Sequence, residues 1–387
     1  MIGVIADDLT GAAEIGAVGV RHGLRAEVVV NGNPNRNADL VCIDTDSRGS
    51  SPAEAARRAA AAARLLRKSG ARWIYKKVDS VLRGPVVAEL EGVMKTVRLR
   101  RALLVPANPS LGRVIREGRY FVSGTPIHKT EFARDPEHPR HFSDVLALLG
   151  SSKFFPIRVC RAGDFSPDPG IIVGEAGSTS DLRRWADKRT AEILTAGGAE
   201  FFAALLAAAL GDGMRSRQKR RSVALANRRP SPRVLFICGT ASGSSRKFVT
   251  SARARRVPVV SLPRELARGD RFTAASVDAI ARQVIAAVCS HSRVIVNIGL
   301  PMVRDRRIAR RLAIHLVRVA GSVLRRGAIH HVYVEGGATA AELVRRMGWE
   351  RLTVVREVAP GVATLAVEGN PDFLLTIKPG SYVWPAL

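Results

Sequence analysis

Two adjacent carboxylates, Asp7 and Asp8, follow the short apolar run Ile2 to Ala6 at the start of the chain. Such a run is typical of a buried strand, and open α/β sheets bind ligands just outside the carboxyl ends of their strands. Two acids at that place could orient a polyol and accept a hydroxyl proton, and Thr10 begins a helix whose N-terminus favours anions. The alternative interpretation is a helix cap beside a solvated acid.

A second group of reactive side chains lies within nine residues, Lys76 to Gly84, directly after a predicted strand. Arg83 could hold a carboxylate through two parallel hydrogen bonds, because its fork of N–H donors matches the two oxygens. Asp79 and Ser80 could bind sugar hydroxyls, and Lys77 adds a cation. A surface ion-pair cluster is the alternative, but the position at a strand end favours a binding function.

Glycine-rich turns lie between predicted strands and helices in the second half of the chain. Their backbone N–H groups and hydroxyls could cradle phosphate oxygens, although they match neither the P-loop pattern nor the dinucleotide fingerprint. Taken singly, each could be only a tight turn. The candidate nucleotide-binding residues are Gly239, Thr240, Ser242, Gly336, Gly337, Ala338, Thr339 and Gly380.

Short apolar runs alternate with helical stretches at βαβ spacing, which predicts an α/β fold of mostly parallel sheets flanked by helices. A chain of 387 residues exceeds the usual size of a single core, so we expect two domains. A basic, apolar-poor stretch separates them. The predicted divisions are an N-terminal domain at 1–212, a linker at 213–233 and a C-terminal domain at 234–387.

Helix and strand signals are clear in most of the first half. Ser50 or Ser51 could cap an Ala-rich helix at 52–68, and a small-residue helix is predicted from Gly11 to His22. Residues 107–142 differ, because they combine Pro, Gly, His and charged residues with little periodicity. A loop that long inside a domain is usually functional.

The amino-acid composition indicates a soluble globular protein and argues against a membrane protein. Apolar residues make up 46% and charged residues 25%, as in ordinary soluble proteins, and no apolar run is long enough for a membrane helix. The N-terminus lacks a secretory pattern, which favours a cytoplasmic location. The four cysteines are far apart, which fits a reducing compartment, and the histidines lack ligand spacing, so no metal ligand is assigned.

The formal charge of +27 could indicate a nucleic-acid-binding protein. Aromatic residues are only 5% of the chain, however, so platforms for base stacking are scarce. An Arg- and Ala-rich composition spread over solvated faces is the favoured interpretation, and it would also attract anionic substrates.

Taken together, these motifs resemble the four-carbon acid sugar kinase family, in order and over nearly the whole chain. The first two matching stretches are specific, and the later glycine turns are specific in combination. The matching stretches are ADDLTGAAEIG at 6–16, YKKVDSVLRG at 75–84, the segment 106–139, ICGTASGSS at 237–245, EGGATA at 335–340, APGV at 359–362 and KPGSY at 378–382.

The resemblance implies that the N-terminal domain binds a four-carbon acid sugar and the C-terminal domain binds ATP. The implied reaction phosphorylates the terminal hydroxyl of threonate, erythronate or 3-oxo-tetronate by in-line transfer, with Mg²⁺ neutralising the phosphates. Asp8 or Asp7 would orient or deprotonate that hydroxyl, and Arg83 would hold the substrate carboxylate. A homo-oligomer is possible, and neither a nucleic-acid nor a membrane partner is expected.

Two departures from the family pattern stand out. Pro85 follows the Arg-Gly of the second motif, where relatives usually have Asn, and the ending at 378–382 differs from the commoner glycine-rich version. Three alternative functions remain open from the residues alone. They are a nucleotide-dependent oxidoreductase, a non-enzymatic nucleic-acid-binding protein and a kinase-like protein that binds the acid without turnover.

Overall fold

The structure is a computed structural model that describes residues 1–135, 138–166, 168–210, 233–240, 242–268, 271–300, 305–327, 329–380, 382 and 384. The chain divides into two compact units, 1–222 and 223–387. Except for Arg233, the predicted linker lies outside the described residues, so its bounds stay a prediction.

The first unit is a parallel sheet of eight strands in the order β2-β3-β1-β4-β11-β5-β10-β9. Most of its strands are buried along their length, as expected where helices cover both faces. The strands are β1 Ile2–Ala6, β2 Ala26–Val29, β3 Leu40–Asp44, β4 Trp73–Lys77, β5 Arg101–Val105, β9 Ile157–Cys160, β10 Gly170–Gly174 and β11 Ile193–Gly197.

Capping side chains mark the first residues of several of the helices in this unit. Asp8 caps α1 and Ser51 caps α2, each accepting a backbone N–H three residues on. In α2 the buried residues Ala55, Ala59 and Leu66 share one face, so the helix lies on the sheet with its arginines outward. The helices are α1 Leu9–Arg21, α2 Pro52–Lys68, α3 Val86–Val97, α4 Val145–Leu149, α5 Thr179–Ala186 and α6 Ala199–Leu210.

The expectation of an irregular segment at 107–142 is wrong in part, because a second, three-stranded antiparallel sheet lies there. Its strands are β6 Arg113–Arg116, β7 Arg119–Val122 and β8 Thr125–Pro126. They are too short to give an alternating pattern. Two-residue turns with positive φ at both positions, Glu117-Gly118 and Ser123-Gly124, join them, as right-handed strand twist favours.

The second unit has a seven-stranded sheet in the order β13-β14-β12-β15-β18-β17-β16. Its pairs are parallel as far as β18 and antiparallel beyond it, so the prediction of a mostly parallel sheet is confirmed. The strands are β12 Val234–Cys238, β13 Val259–Ser261, β14 Arg293–Asn297, β15 His331–Glu335, β16 Arg351–Ala359, β17 Val362–Val367 and β18 Asn370–Lys378.

Four helices accompany the second sheet among the residues that the structure describes there. Ser242 caps the first of them, and the last ends at Gly348 in the left-handed conformation. They are α7 Gly243–Ala254, α8 Ala274–His291, α9 Arg306–Leu324 and α10 Gly337–Met347. Within the described ranges of both units, we find no helix with the length and apolar character needed to span a bilayer.

Candidate active site

Strand register brings the first candidate residues together. Ala6, the last residue of β1, lies opposite Asp44 at the end of β3 and opposite Lys77 at the end of β4. Asp7 and Asp8 therefore leave the sheet between two other polar strand ends. This is the edge at which parallel α/β sheets place their ligands.

Arg48 holds the two acids in place. Its Nε and Nη2 donate to the two oxygens of Asp7 at 2.6 and 3.0 Å, and its Nη1 donates to Asp8 Oδ2 at 2.6 Å. Burial by itself would raise the pKa of Asp7, but attraction to Arg48 and the hydrogen bonds from it prevail, so this pKa is lowered. Asp7 is therefore a buried, ionised carboxylate. Asp8 is the more exposed of the two acids.

Asp8 also begins helix α1. Its Oδ1 accepts the N–H of Gly11 at 2.7 Å, and its Oδ2 accepts the hydroxyl of Thr10 at 2.6 Å. The alternative interpretation, a helix cap beside a solvated acid, is thus correct for the cap but wrong for the acid, because Asp7 is buried. Because the Asp8 carboxylate is also bonded to Arg48 at the edge of the sheet, the cap and a functional role are compatible.

The two lysines at the end of β4 lie on opposite faces of the sheet, as consecutive strand residues must. Lys76 Nζ pairs with Glu89 of α3 at 3.1 Å, and Lys77 Nζ pairs with Glu14 of α1 at 3.2 Å. Both ammonium groups are buried, and both also lower the pKa of Asp7. The two lysines thus connect the strand end beside Asp7 and Asp8 to α3 on one face of the sheet and to α1 on the other.

Asp79 and Arg83 form a bidentate pair at 3.0 Å (Nε to Oδ2) and 2.8 Å (Nη2 to Oδ1). Arg83 Nη1 also donates to Asp135 at 3.1 Å. Burial acts to raise the pKa of Asp79, but Arg83 and Arg48 outweigh it, so this pKa lies well below its usual range. Arg48 Nη2 is 3.9 Å from Asp79 Oδ1, so the two predicted clusters form one continuous ionic network.

Ser80 is clamped by the small antiparallel sheet. The hydroxyl of Tyr120 donates to the Ser80 carbonyl, and Arg113 donates to the Ser80 hydroxyl. The segment 107–142, which contains this small sheet, therefore holds the loop 79–84 in place through hydrogen bonds to Ser80. Of the seven candidates of the first unit, Asp7, Asp8, Asp79 and Arg83 share one ionic network. Thr10 bonds Asp8, Ser80 follows Asp79 in the chain, and Lys77, which pairs with Glu14, ends the strand next to β1.

Asp44 is a further acid at this edge. Burial, together with the charges of Asp8, Asp46 and Asp7, raises the pKa of Asp44 to about 8, although the N–H of Asp46 donates to it at 2.9 Å. A carboxyl group in that state carries a proton at neutral pH and can donate a hydrogen bond.

The second unit aligns its turns in the same way. Cys238 lies opposite Glu335, and Glu335 lies opposite Lys378, so the glycine turns after β12, β15 and β18 meet at one edge. A Cβ atom on Gly239 would lie 2.0 Å from Thr339 Oγ1, and Gly336 has a φ of 99°. Glycine is therefore required at both positions.

The remaining candidates of this unit surround the same turns. Ser242 Oγ bonds the Gly380 carbonyl at 3.1 Å, and the Thr240 hydroxyl accepts the N–H of Ser242 at 3.2 Å. Gly337 is the first residue of α10, and the neighbouring Ala338 is exposed. Two helix N-termini, of α7 and α10, begin here and offer N–H donors.

A buried ion pair lies beneath these turns and was not predicted. Lys378 and Glu335 are both fully buried and 2.8 Å apart, and Ser245 of α7 donates to Glu335 at 2.7 Å. Lys378 also donates to the carbonyls of Pro379 and Tyr382. The pair thus connects two strand ends to the start of a helix and to the final turn.

Sequence reasoning missed the partners of the charged candidates rather than the candidates themselves. Their only local signal is a charged residue next to a strand or a turn, which many surface residues share. The missed residues are Arg48, Asp44, Glu89, Arg113, Asp135, Glu335 and Lys378 as an ion-pair member. Within the described ranges, no three His, Cys, Asp or Glu residues are grouped as metal ligands.

Comparison with known proteins finds two family models that match separate parts of the chain. A family model described as a sugar-binding N-terminal domain matches residues 2–205. A second, described as a nucleotide-binding C-terminal domain, matches residues 235–382.

Several curated relatives align along most of their length. D-threonate kinase of Cupriavidus necator is 30% identical over 98% of this chain and 94% of its own. D-threonate kinase of Salmonella typhimurium is 28% identical over 92% and 89%, respectively. The 3-oxo-tetronate kinase of Methylobacterium radiotolerans is 25% identical over 98% and 96%.

Solved structures show the same fold. A Salmonella typhimurium LT2 structure superposes with a TM-score of 0.80, at 20% identity over 98% of this chain and 96% of that one. Haemophilus influenzae protein HI1011, of family DUF1537, gives a TM-score of 0.71 at the same identity and coverage.

Proposed function

The chain belongs to the four-carbon acid sugar kinase family, and on that premise we propose that it transfers a phosphoryl group from ATP to the terminal hydroxyl of a four-carbon acid sugar. Threonate, erythronate and 3-oxo-tetronate are the substrate candidates, since relatives carry those names. The observation that carries the proposal is the Asp7–Arg48–Asp8 cluster at the carboxyl end of β1.

Asp8 is the proposed acceptor or orienter of the hydroxyl proton. It is the more exposed of the two acids, whereas Asp7 is buried and committed to two bonds from Arg48. A positioned carboxylate of this kind commonly contributes about 10²- to 10⁴-fold to a proton-transfer step. Asp7 then serves to fix Arg48, and through it the orientation of Asp8.

Arg83, Asp79, Ser80, Thr10 and Lys77 are proposed to surround the acid sugar. Each has at least one protein partner that fixes its rotamer, which favours preorganised recognition. Arg83 uses three donors on Asp79 and Asp135, so it can offer a substrate only its remaining Nη hydrogens.

The glycine turns of the second unit are proposed to hold the phosphates of ATP. Support comes from the absence of side chains at Gly239 and Gly336 and from the two helix N-termini that begin there. Those N–H groups favour anions without any basic side chain. The proposed contacts involve Gly239, Thr240, Ser242, Gly336, Gly337, Ala338, Thr339 and Gly380.

Mg²⁺ is expected with ATP, because the ion neutralises charge that develops on transferred phosphates. Such ions commonly take one or two carboxylates and leave the other positions to phosphates and water. The described residues contain no three-ligand group that fits the ion by itself, so we assign it no protein ligand and no step.

The test is a screen of ADP release with stereoisomers of threonate, erythronate and 3-oxo-tetronate. We expect at least one of these acids to give ATP-dependent turnover well above the no-acid background. Background rates with every four-carbon acid, in a sample that is folded by circular dichroism, would contradict the proposal. Nicotinamide cofactors added to the same acids should give no absorbance change at 340 nm.

A further inference from the structure

Arg140 is a guanidinium buried beside the proposed acid site, with only 9% of its surface exposed. Its Nη1 donates to the carbonyl of Leu82 at 3.1 Å, and its Nε donates to the carbonyl of His138 at 2.9 Å. Leu82 immediately precedes Arg83, so Arg140 is anchored to the loop that carries Asp79, Ser80 and Arg83.

Arg48 and Arg83, the two arginines of the ionic network, are both neutralised by carboxylates. Arg48 pairs with Asp7 and Asp8, and Arg83 pairs with Asp79 and Asp135. Arg140 has no carboxylate within salt-bridge distance among the described residues, and its two protein partners are both neutral carbonyls. Its Nη2 donates to no group in the described part of the chain.

A buried cation without a counter-ion is costly, and proteins normally pair such a group or leave it in water. Burial lowers the pKa of Arg140, and although attraction to Asp79 and Asp135 acts against this, repulsion from Arg83 adds to it, so the pKa stays below its usual value. Those two acids are already engaged by Arg83, so they do not supply the missing partner. The environment is thus prepared for an additional anion.

We infer that Arg140 binds the carboxylate of the acid sugar. Two carbonyl bonds fix the plane of its guanidinium, which leaves Nη hydrogens as donors in a defined direction. In this assignment Asp8 orients the hydroxyl end of the substrate and Arg140 holds its acidic end. Arg83 then serves mainly to position the loop 79–84. The inference rests on the proposed function and names the group that makes the site selective for acids.

Arg140→Gln tests this assignment, with Arg134→Gln as the matched control. Arg134 lies in the same segment, is exposed and has no bonded partner in the described structure, so its replacement removes the same charge without touching the site. The measured quantities are KM and kcat for the best four-carbon acid and the inhibition constant of the uncharged tetritol of the same configuration.

We expect Arg140→Gln to raise KM for the acid by about 10- to 100-fold, because a charged hydrogen bond is lost. The tetritol, which has no carboxylate, should inhibit this variant as well as it inhibits the wild type. Arg140→Lys keeps the charge but loses the fork, so it should give an intermediate KM. It also preserves the test if the Gln variant does not fold.

Equal KM values for Arg140→Gln and Arg134→Gln would overturn the inference and leave the proposed function intact. Equal losses for the acid and the tetritol would also overturn it, since they indicate a purely structural role. If the wild type turns over no acid, the proposed function fails first. Thermal-shift binding of the same acid anions to wild type and Arg140→Gln then still decides whether Arg140 binds a carboxylate.

Discussion

The two sheet edges differ in what they offer a ligand. The edge of the first unit is built from charged side chains. Asp7, Asp8, Arg48, Asp79 and Arg83 form a network there of hydrogen bonds and ion pairs, with distances between 2.6 and 3.9 Å. The edge of the second unit is built from glycine turns and helix N-termini, with its charges buried beneath them. Side chains can distinguish one sugar acid from another, whereas backbone amides bind any similarly shaped polyphosphate.

This difference predicts where each kind of substitution acts. In the first unit, small changes of charge should affect catalysis and acid binding. In the second, small changes of volume should affect nucleotide binding, and changes of charge should affect stability. The following predictions run from the largest expected effect to the smallest.

Asp8→Asn should lower kcat by about 10²- to 10⁴-fold, because an amide cannot accept the hydroxyl proton. The helix cap should survive, since Asn caps helices about as well as Asp, so thermal stability should change little. Steady-state kinetics and a melting curve check both parts. Near-normal kcat in a folded Asp8→Asn sample would remove Asp8 from the chemistry.

Lys378→Met should destabilise the second unit by about 3–5 kcal/mol, because it leaves Glu335 buried without its partner. Denaturant unfolding measures the change. The double variant Lys378→Met with Glu335→Gln should recover part of the loss, since no buried charge remains. A loss below 1 kcal/mol in the single variant would contradict a buried pair beneath the turns.

The first unit should lose stability as pH rises. The pKa of Asp44 is about 8 in the folded chain and about 3.8 when unfolded, so the folded state binds the extra proton between those values. Stability should fall between pH 4 and 8, on the order of 1 kcal/mol per pH unit. Asp44→Asn should flatten this slope, and an unchanged slope would refute the assignment.

The second unit should show the opposite dependence of stability on pH, within the lower part of the same range. Burial, with a smaller contribution from Arg356, lowers the pKa of His331 to about 4, against 6.5 in the unfolded chain. The unfolded state therefore binds more protons in this range, and stability should fall as pH drops from 6.5 to 4. His331→Gln should abolish this part of the pH profile in melting experiments, while the loss of stability between pH 4 and 8 that Asp44 causes in the first unit persists.

Gly239→Ala should raise KM for ATP about 10-fold and leave KM for the acid unchanged. The added methyl group would lie 2.0 Å from Thr339 Oγ1 and displace the turn that is proposed to meet the phosphates. Gly243→Ala is the control, because a Cβ atom there has open space around it. Equal KM values for ATP in both variants would show that Gly239 has no part in nucleotide binding.

Local features were predictable from the sequence. A cap at Ser50 or Ser51, of which the structure uses Ser51, and the helix at 52–68 follow from short-range rules. The glycine turns follow from their place between a strand and a helix. The position of each candidate at a strand end could be predicted as well, because parallel strands end at one edge.

Partners distant in sequence could not be predicted in the same way. Arg48 is 41 residues from Asp7, and Lys378 is 43 residues from Glu335, so no local pattern joins them. The small sheet at 113–126 was also missed, because strands of two to four residues carry no period. Long-range packing decides these contacts, and it leaves little trace in neighbouring residues.

The most direct measurement of the central claim is a proton-coupled ³¹P NMR spectrum of the product formed from ATP and the best four-carbon acid. Transfer to the terminal CH₂–OH predicts a new phosphomonoester triplet that appears with ADP and is absent with Asp8→Asn. A doublet would place the phosphate on a secondary hydroxyl. No phosphomonoester signal with any four-carbon acid would contradict the account itself.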